Sequence, residues 1–171
     1  HSIPHRYPME LLEGFAMDVE GRRLATLEDV LRYCYHVAGV VGLMMAHVMG
    51  VRDETALDRA CDLGLALQLT NIARDVLDDA AMGRVYLPSD WLAAEKIPLR
   101  EVALPRHRAG MARVVARLLH VADEYYRSAD IGLRSLPLRS AWSIAVARGV
   151  YTDIEKLVQR RGAAAWSERT V

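Results

Sequence analysis

Apolar residues recur along this 171-residue chain at helical spacing, and no segment sustains the period-two alternation of a half-buried strand. Gly and Pro divide the pattern into segments. A short helix is expected over residues 9–20, after Pro8. Thr26 and Asp29 form a start like a capping box, with Asp where Glu or Gln is usual. They open a long helix from Leu27 to near Gly50, a good residue for the position after a helix end. Asp53 or Thr55 caps the next helix, which stops before Gly83. Pro88, Pro98 and Pro105 mark a loop region. Another helix covers about residues 106–131 before Gly132, and Pro137 opens the last, to about residue 160. The expected architecture is an all-α bundle, a single domain over residues 1–171.

Composition agrees with helices. The chain is 52% hydrophobic, with one Phe against plentiful Leu, Ala, Val and Met. Net charge is zero but uneven: residues 1–79 hold 7 Lys/Arg against 13 Asp/Glu, and residues 80–171 hold 15 against 9. A basic half suits phosphates, an anionic lipid surface, or ordinary solvated helix faces. Nothing resembles a nucleic-acid-binding motif. Cys34 and Cys61 lie in apolar runs without metal-ligand spacing, and read as reduced core residues of a cytoplasmic protein. The start of the chain lacks the apolar region of a signal peptide. The most apolar stretch, residues 37–51, is short for a bilayer crossing, contains His47, and reads as a core helix.

The sharpest chemical signal lies between Gln68 and Asp79. At about 100° per residue, Gln68, Asn71, Asp75 and Asp79 fall within an arc of roughly 80°. Asp75 and Asp79 therefore point the same way, one turn apart, and repel each other. An isolated pair of this kind is usually a solvated helix face. Here the flanks (Leu63, Leu65, Leu67, Leu69, Ile72, Val76) indicate burial, where an unpaired amide is costly. A hard divalent cation shared with a diphosphate would compensate the acids. Arg84 and Tyr86 follow closely with a cation and a phenol.

A second constellation lies in the helix from Leu27. Tyr33, Val37, Val40, Val41 and Met44 share one face within an arc of roughly 100°, with Ala38, Gly39 and Gly42 beside it. Two glycines in four helical residues call for a reason, since each costs up to about 1 kcal/mol relative to alanine. Close helix packing is one reason, and room for a slender apolar ligand is the other. Tyr33 is either a buried phenol with a satisfied hydroxyl or a group that stabilises a cation or relays a proton.

The run from Tyr33 to Gly42, the block from Gln68 to Asp79 and the segment from Arg84 to Pro88, in that order, resemble the squalene/phytoene synthase family. Residues 12–18 and 136–142 narrow the resemblance to its bacterial phytoene-forming members. It covers nearly the whole chain. It implies the class I terpenoid-synthase fold around a central cavity, and condensation of two geranylgeranyl diphosphates through prephytoene diphosphate to phytoene. It implies that Asp75 and Asp79, with Asn71, bind Mg²⁺ or Mn²⁺, and that Gln68 and Asn71 support metal waters and phosphate oxygens. Arg74 and Arg84 become charge partners of the diphosphate. Tyr33 matches a tyrosine that handles the cation or the departing proton, and Tyr86 and Tyr151 match further cavity tyrosines. Val37, Ala38, Val41 and Gly42 match a prenyl-chain tunnel, and Arg169 matches a C-terminal arginine.

The family carries two aspartate-rich motifs, and residues 1–32 hold no Asp-x-x-x-Asp. The chain is therefore expected to be a central and C-terminal part, incomplete at the N-terminal side, with little activity unless a second polypeptide supplies the first motif. Peripheral membrane contact follows from a hydrocarbon product. Three alternatives stay open: squalene or dehydrosqualene synthesis from farnesyl diphosphate, a non-catalytic subunit that binds a prenyl diphosphate, and a plain helical interaction domain.

Overall fold

The computed structural model describes residues 3–133 and 138–166, and every regular element among them is helical. Pro137 and Arg169, singled out from sequence, lie outside the described residues. Helix α1 (Arg6–Glu20) begins earlier than expected, with Pro8 inside its first turn, where a missing N–H costs nothing. Gly21 closes it in the left-handed conformation, φ 61°. Helix α2 (Leu27–Cys34) starts on the predicted box: Thr26 Oγ1 accepts from the Asp29 N–H, and Asp29 Oδ2 accepts from the Thr26 N–H. Those N–H donors hold the Asp29 carboxyl below the usual carboxylate range.

The long helix is not regular. A π-helical turn at Tyr35–Gly39 separates α2 from α3 (Val40–Val48). A π turn inserts one residue and rotates everything downstream by about 100°. Val40 and Met44, expected on the face of Tyr33, consequently turn to a separate cluster with Tyr7 and Leu43. Val37, Ala38, Val41 and Gly42 take the face toward a cavity instead. Nor is α3 wholly a core helix, because Val41, Met45 and Val48 are 37%, 48% and 44% exposed.

Helix α4 (Glu54–Arg74) is the central element, capped by Asp53 accepting from the Ala56 N–H at 2.8 Å. It packs against α3, the π turn, α7 (Arg108–Leu133) and α8 (Leu138–Arg161). Two close approaches set its crossing with α3. A Cβ at Gly42 would lie 2.2 Å from the Ala60 carbonyl oxygen, and one at Gly64 would lie 2.4 Å from that of Ala38. Leu65, Leu69, Ile72 and Ala73 bury the opposite side with Leu118, Leu119 and Ala122 of α7. Within this core Thr70 Oγ1 bonds the Ala66 carbonyl and the Tyr126 hydroxyl, each at 2.9 Å.

Helix α4 ends one residue before the first predicted acid. Asp75 has φ −98° and ψ 13°, and α5 (Val76–Ala81) follows. The ladder persists across the break, since the Asp75 N–H bonds Asn71 O and the Asp79 N–H bonds Asp75 O. The acids therefore stay one turn apart. In the expected loop region a further helix, α6 (Ser89–Ala94), is tied down by Ser89 N–H to Leu24 O and Asp90 N–H to Ala25 O. Cys34 and Cys61 are free thiols. Among the described residues no helix is long and apolar enough to cross a membrane.

Candidate active site

The π turn and helices α3, α4, α7 and α8 line a partly open cavity of about 370 Å³. Its walls are small and aliphatic: Val37, Ala38, Val41 and Gly42 on one side, and Ala60, Leu63, Gly64 and Leu67 on the other. The spacing of the α4 residues makes it an elongated groove along one helix face. Tyr151 of α8 lines it too, and its polar groups at one end come from Gln68 and Asn71. Asn71 Nδ2 donates to Gln68 Oε1 at 3.4 Å, while Asn71 Oδ1 is buried without a hydrogen-bond partner. A buried, orphaned acceptor is rare and costly, so a cation or donor belongs against it.

Asp75 and Asp79 are not part of the cavity lining; they lie one and two turns beyond Asn71. Asp75 is held in a two-pronged pair by Arg74, Nε to Oδ1 at 2.6 Å and Nη2 to Oδ2 at 2.5 Å. Asp79 has no such partner. Burial, then repulsion from Asp75, pushes its carboxyl up to about 6, against the opposing pull of Arg84. Two carboxylates and a spare amide oxygen form a hard donor set, which suits Mg²⁺ or Mn²⁺ when water and phosphate oxygens complete the octahedron. The orphaned Asn71 oxygen makes the fit more than compositional. The set is partial: among the described residues, no three His, Cys, Asp or Glu side chains converge as a metal cage.

Tyr33 and Tyr86 come together, but not in the cavity lining. Their rings stack at 4.8 Å and 17°, and both hydroxyls donate to Asp18, Tyr33 to Oδ2 at 3.2 Å and Tyr86 to Oδ1 at 2.8 Å. Burial above all keeps both phenols well above their ordinary range, and the Asp18 charge adds to this. Asp18 was passed over in the sequence, where it sits in the last turn of α1 with no periodic relation to either tyrosine. A carboxylate at a helix C-terminus opposes the helix dipole, and that misplacement was the available signal. Arg84 is exposed, forms no ion pair among the described residues, and lines a second cleft with Arg22, Arg23, Arg100 and Tyr86. The predicted residues thus fall into a cavity group, a tyrosine group, and the Arg74–Asp75 and Asp79 segment between them.

A sequence profile described as squalene/phytoene synthase matches residues 1–171. Over 169 residues the chain is 57% identical to a 15-cis-phytoene synthase of Enterobacter agglomerans, covering 99% of this chain and 57% of that protein. It is 56% identical to a 15-cis-phytoene synthase of Pantoea ananas, with 99% and 55% covered. The chain thus spans little more than half the length of these relatives. Among solved structures, a squalene synthase from Alicyclobacillus acidocaldarius superposes with a TM-score of 0.86 at 25% identity, covering 94% of this chain and 61% of that one. A dehydrosqualene synthase in complex with ligand gives 0.84 at 25% identity, covering 94% and 57%.

Proposed function

Because the chain belongs to the squalene/phytoene synthase family, we propose that it supplies the chain-holding groove and one metal-binding wall for the condensation of two geranylgeranyl diphosphates, through prephytoene diphosphate, to phytoene. Its architecture is the all-α isoprenoid synthase fold. The observation that carries the reading is the apolar groove whose one polar end holds the orphaned Asn71 oxygen, next to Asp75 and Asp79 along the same helical path.

Asp75, Asp79 and Asn71 would hold Mg²⁺ or Mn²⁺, which when bound supplies Lewis-acid assistance to the departure of diphosphate. Arg74 fixes the orientation of Asp75, and Gln68 fixes the Asn71 amide. Arg84, without an ion pair among the described residues, faces the leaving anion. Val37, Ala38, Val41 and Gly42 hold the prenyl tail away from water, and Tyr151 offers a ring face beside it. Asp18 holds the two phenols as neutral donors, so Tyr33 and Tyr86 present π faces and oxygen lone pairs, not phenolate, to a developing carbocation. Turnover needs a second aspartate pair facing the first, from a further segment or polypeptide, and release of a hydrocarbon product favours transient contact with lipid. The whole forms one catalytic domain.

A second reading, squalene-type synthesis from farnesyl diphosphate, is favoured by the likeness to the two solved synthases. Product analysis separates them. Incubated with Mg²⁺, a polypeptide carrying an Asp-x-x-x-Asp helix, and geranylgeranyl or farnesyl diphosphate in turn, the protein should yield a C40 hydrocarbon from the first. A C30 product alone would establish the second reading. Metal-dependent binding without product would leave a binding subunit.

A further inference from the structure

The groove wall formed by Val37, Ala38, Val41 and Gly42 depends on the π turn at Tyr35–Gly39. In an unbroken α-helix every residue from Val40 onward would stand about 100° back, in the place its successor now occupies. Val40 and Met44 would replace Val41 and Met45 on the groove face, and Val41 would stand where Gly42 meets the Ala60 carbonyl. A β-branched side chain does not fit there, since a Cβ at Gly42 would already lie 2.2 Å from that oxygen. Single π turns are rare within helices, and contacts outside their own ladder must hold them. Here α1 supplies those contacts, although it gives no residue to the groove lining among the described residues. Glu10 grips two consecutive residues of the turn. The Tyr35 hydroxyl donates to Glu10 Oε2 at 2.6 Å, and His36 Nδ1 donates to the Glu10 carbonyl oxygen at 2.9 Å. Gly14, one turn further on, lets α1 lie against the turn: a Cβ there would be 2.8 Å from Val37 Cγ1 and 3.0 Å from His36 Cβ.

We infer that Glu10 is a positioning residue whose carboxylate, through the Tyr35 hydroxyl, holds the π turn and so sets which side chains of α3 face the prenyl tail. The inference rests on the prenyl diphosphate reading above and names the device that shapes its groove. Hydrogen bonds to a charged acceptor are the stronger kind, and loss of this one shifts the balance between the two registers by about tenfold or more. The shifted register presents Val40 and Met44 to the groove and pushes α3 away from α4 at Ala60. Cys34, upstream of the turn, belongs to the main core with Leu65, Leu69 and Leu118, and keeps its place in either register.

The test is maleimide labelling of the 171-residue protein carrying Val40→Cys, read peptide by peptide by mass spectrometry. Val40 is 0% exposed, and so is Cys34, which reports global opening. Glu10→Ala and Tyr35→Phe should each raise labelling at position 40 about tenfold or more and leave Cys34 protected. Glu10→Gln, whose amide oxygen still accepts from Tyr35, should recover most of the protection. Saturating geranylgeranyl diphosphate with Mg²⁺ should slow labelling at position 40 in the Tyr35→Phe protein, because the tail fits only the π register; inorganic pyrophosphate should not. Equal labelling at position 40 with and without Glu10 and Tyr35 overturns the inference, and so does Cys34 labelling in step with it. A labelling rate that geranylgeranyl diphosphate leaves unchanged, while calorimetry shows it bound, separates the turn from the tail and overturns the inference too. A wild type that binds no geranylgeranyl diphosphate overturns the prenyl diphosphate reading itself, and the inference with it.

Discussion

Replacing Gly42 by alanine tests the helix crossing that shapes the groove. The new Cβ would stand 2.2 Å from the Ala60 carbonyl oxygen and 3.0 Å from its carbon. Ordinary carbon–oxygen contacts are about 3.3 Å or longer, so α3 and α4 must separate by about 1 Å. Both contacting groups are backbone, and no rotamer change relieves them. A gap of that size forfeits a quarter to a half of the dispersion energy of the contacts it opens. The loss belongs to the overpacking range of about 1–3 kcal/mol, against a helix-propensity gain of up to about 1 kcal/mol. Gly42→Ala should therefore lose about 1–2 kcal/mol, lowering Tm by about 2–8 °C for a domain of this size. Gly149 is the internal control. It sits within α8 with nothing inside 4 Å of its would-be Cβ. Gly149→Ala keeps the propensity gain without the clash and should raise Tm by about 2–4 °C. Thermal unfolding followed by circular dichroism reads both. Equal stabilisation by the two substitutions would refute the backbone contact between α3 and α4.

Three further outcomes follow from particular contacts. Asp18→Ala removes the acceptor of two phenolic hydroxyls, those of Tyr33 and Tyr86, and should cost about 1–3 kcal/mol in urea unfolding; unchanged stability would mean the tyrosines are held by stacking alone. Glu155 is 3% exposed, and burial, then Asp123, pushes its carboxyl up to about 7, against Lys156 and Arg148. The folded protein therefore holds a proton that the unfolded chain releases near the ordinary glutamate value of 4.5. Its stabilising contribution is complete below that value and is lost as pH rises through about 7; Glu155→Gln should flatten the pH dependence of urea stability, and an unchanged slope would assign it elsewhere. Thr26→Ala breaks the capping box of α2 and should cost about 1 kcal/mol by the same assay, with no loss if the cap is idle.

What was legible in the sequence was local. Thr26 with Asp29 and Asp53 with Ala56 announce helix starts because capping bonds close within three residues. Asp75 and Asp79 stand out because acids in an apolar run need an explanation that sequence alone can demand. The π turn was not legible. Gly39 fits beneath Leu65 and Cys61, and Tyr35 reaches Glu10 at 2.6 Å, both contacts between distant segments. A uniform 3.6-residue period therefore placed Val40 and Met44 one position out of register. Glycines in that run served both open alternatives, since Gly42 packs against Ala60 and also lines the cavity. Asp18 escaped notice because its partners, Tyr33 and Tyr86, are 15 and 68 residues away. Helix α6 was hidden among prolines, and only its bonds to Leu24 and Ala25 reveal why it forms there.

The central claim is that Asp75 and Asp79 hold a divalent ion that grips a prenyl diphosphate whose tail lies in the adjoining groove. Calorimetric titration of geranylgeranyl diphosphate into the wild type and into the Asp75→Ala, Asp79→Ala double variant, each with and without Mg²⁺, tests it most directly. Binding that requires the metal in the wild type and vanishes in the double variant is the predicted result. Equal binding by the two proteins, or binding indifferent to Mg²⁺, would contradict it.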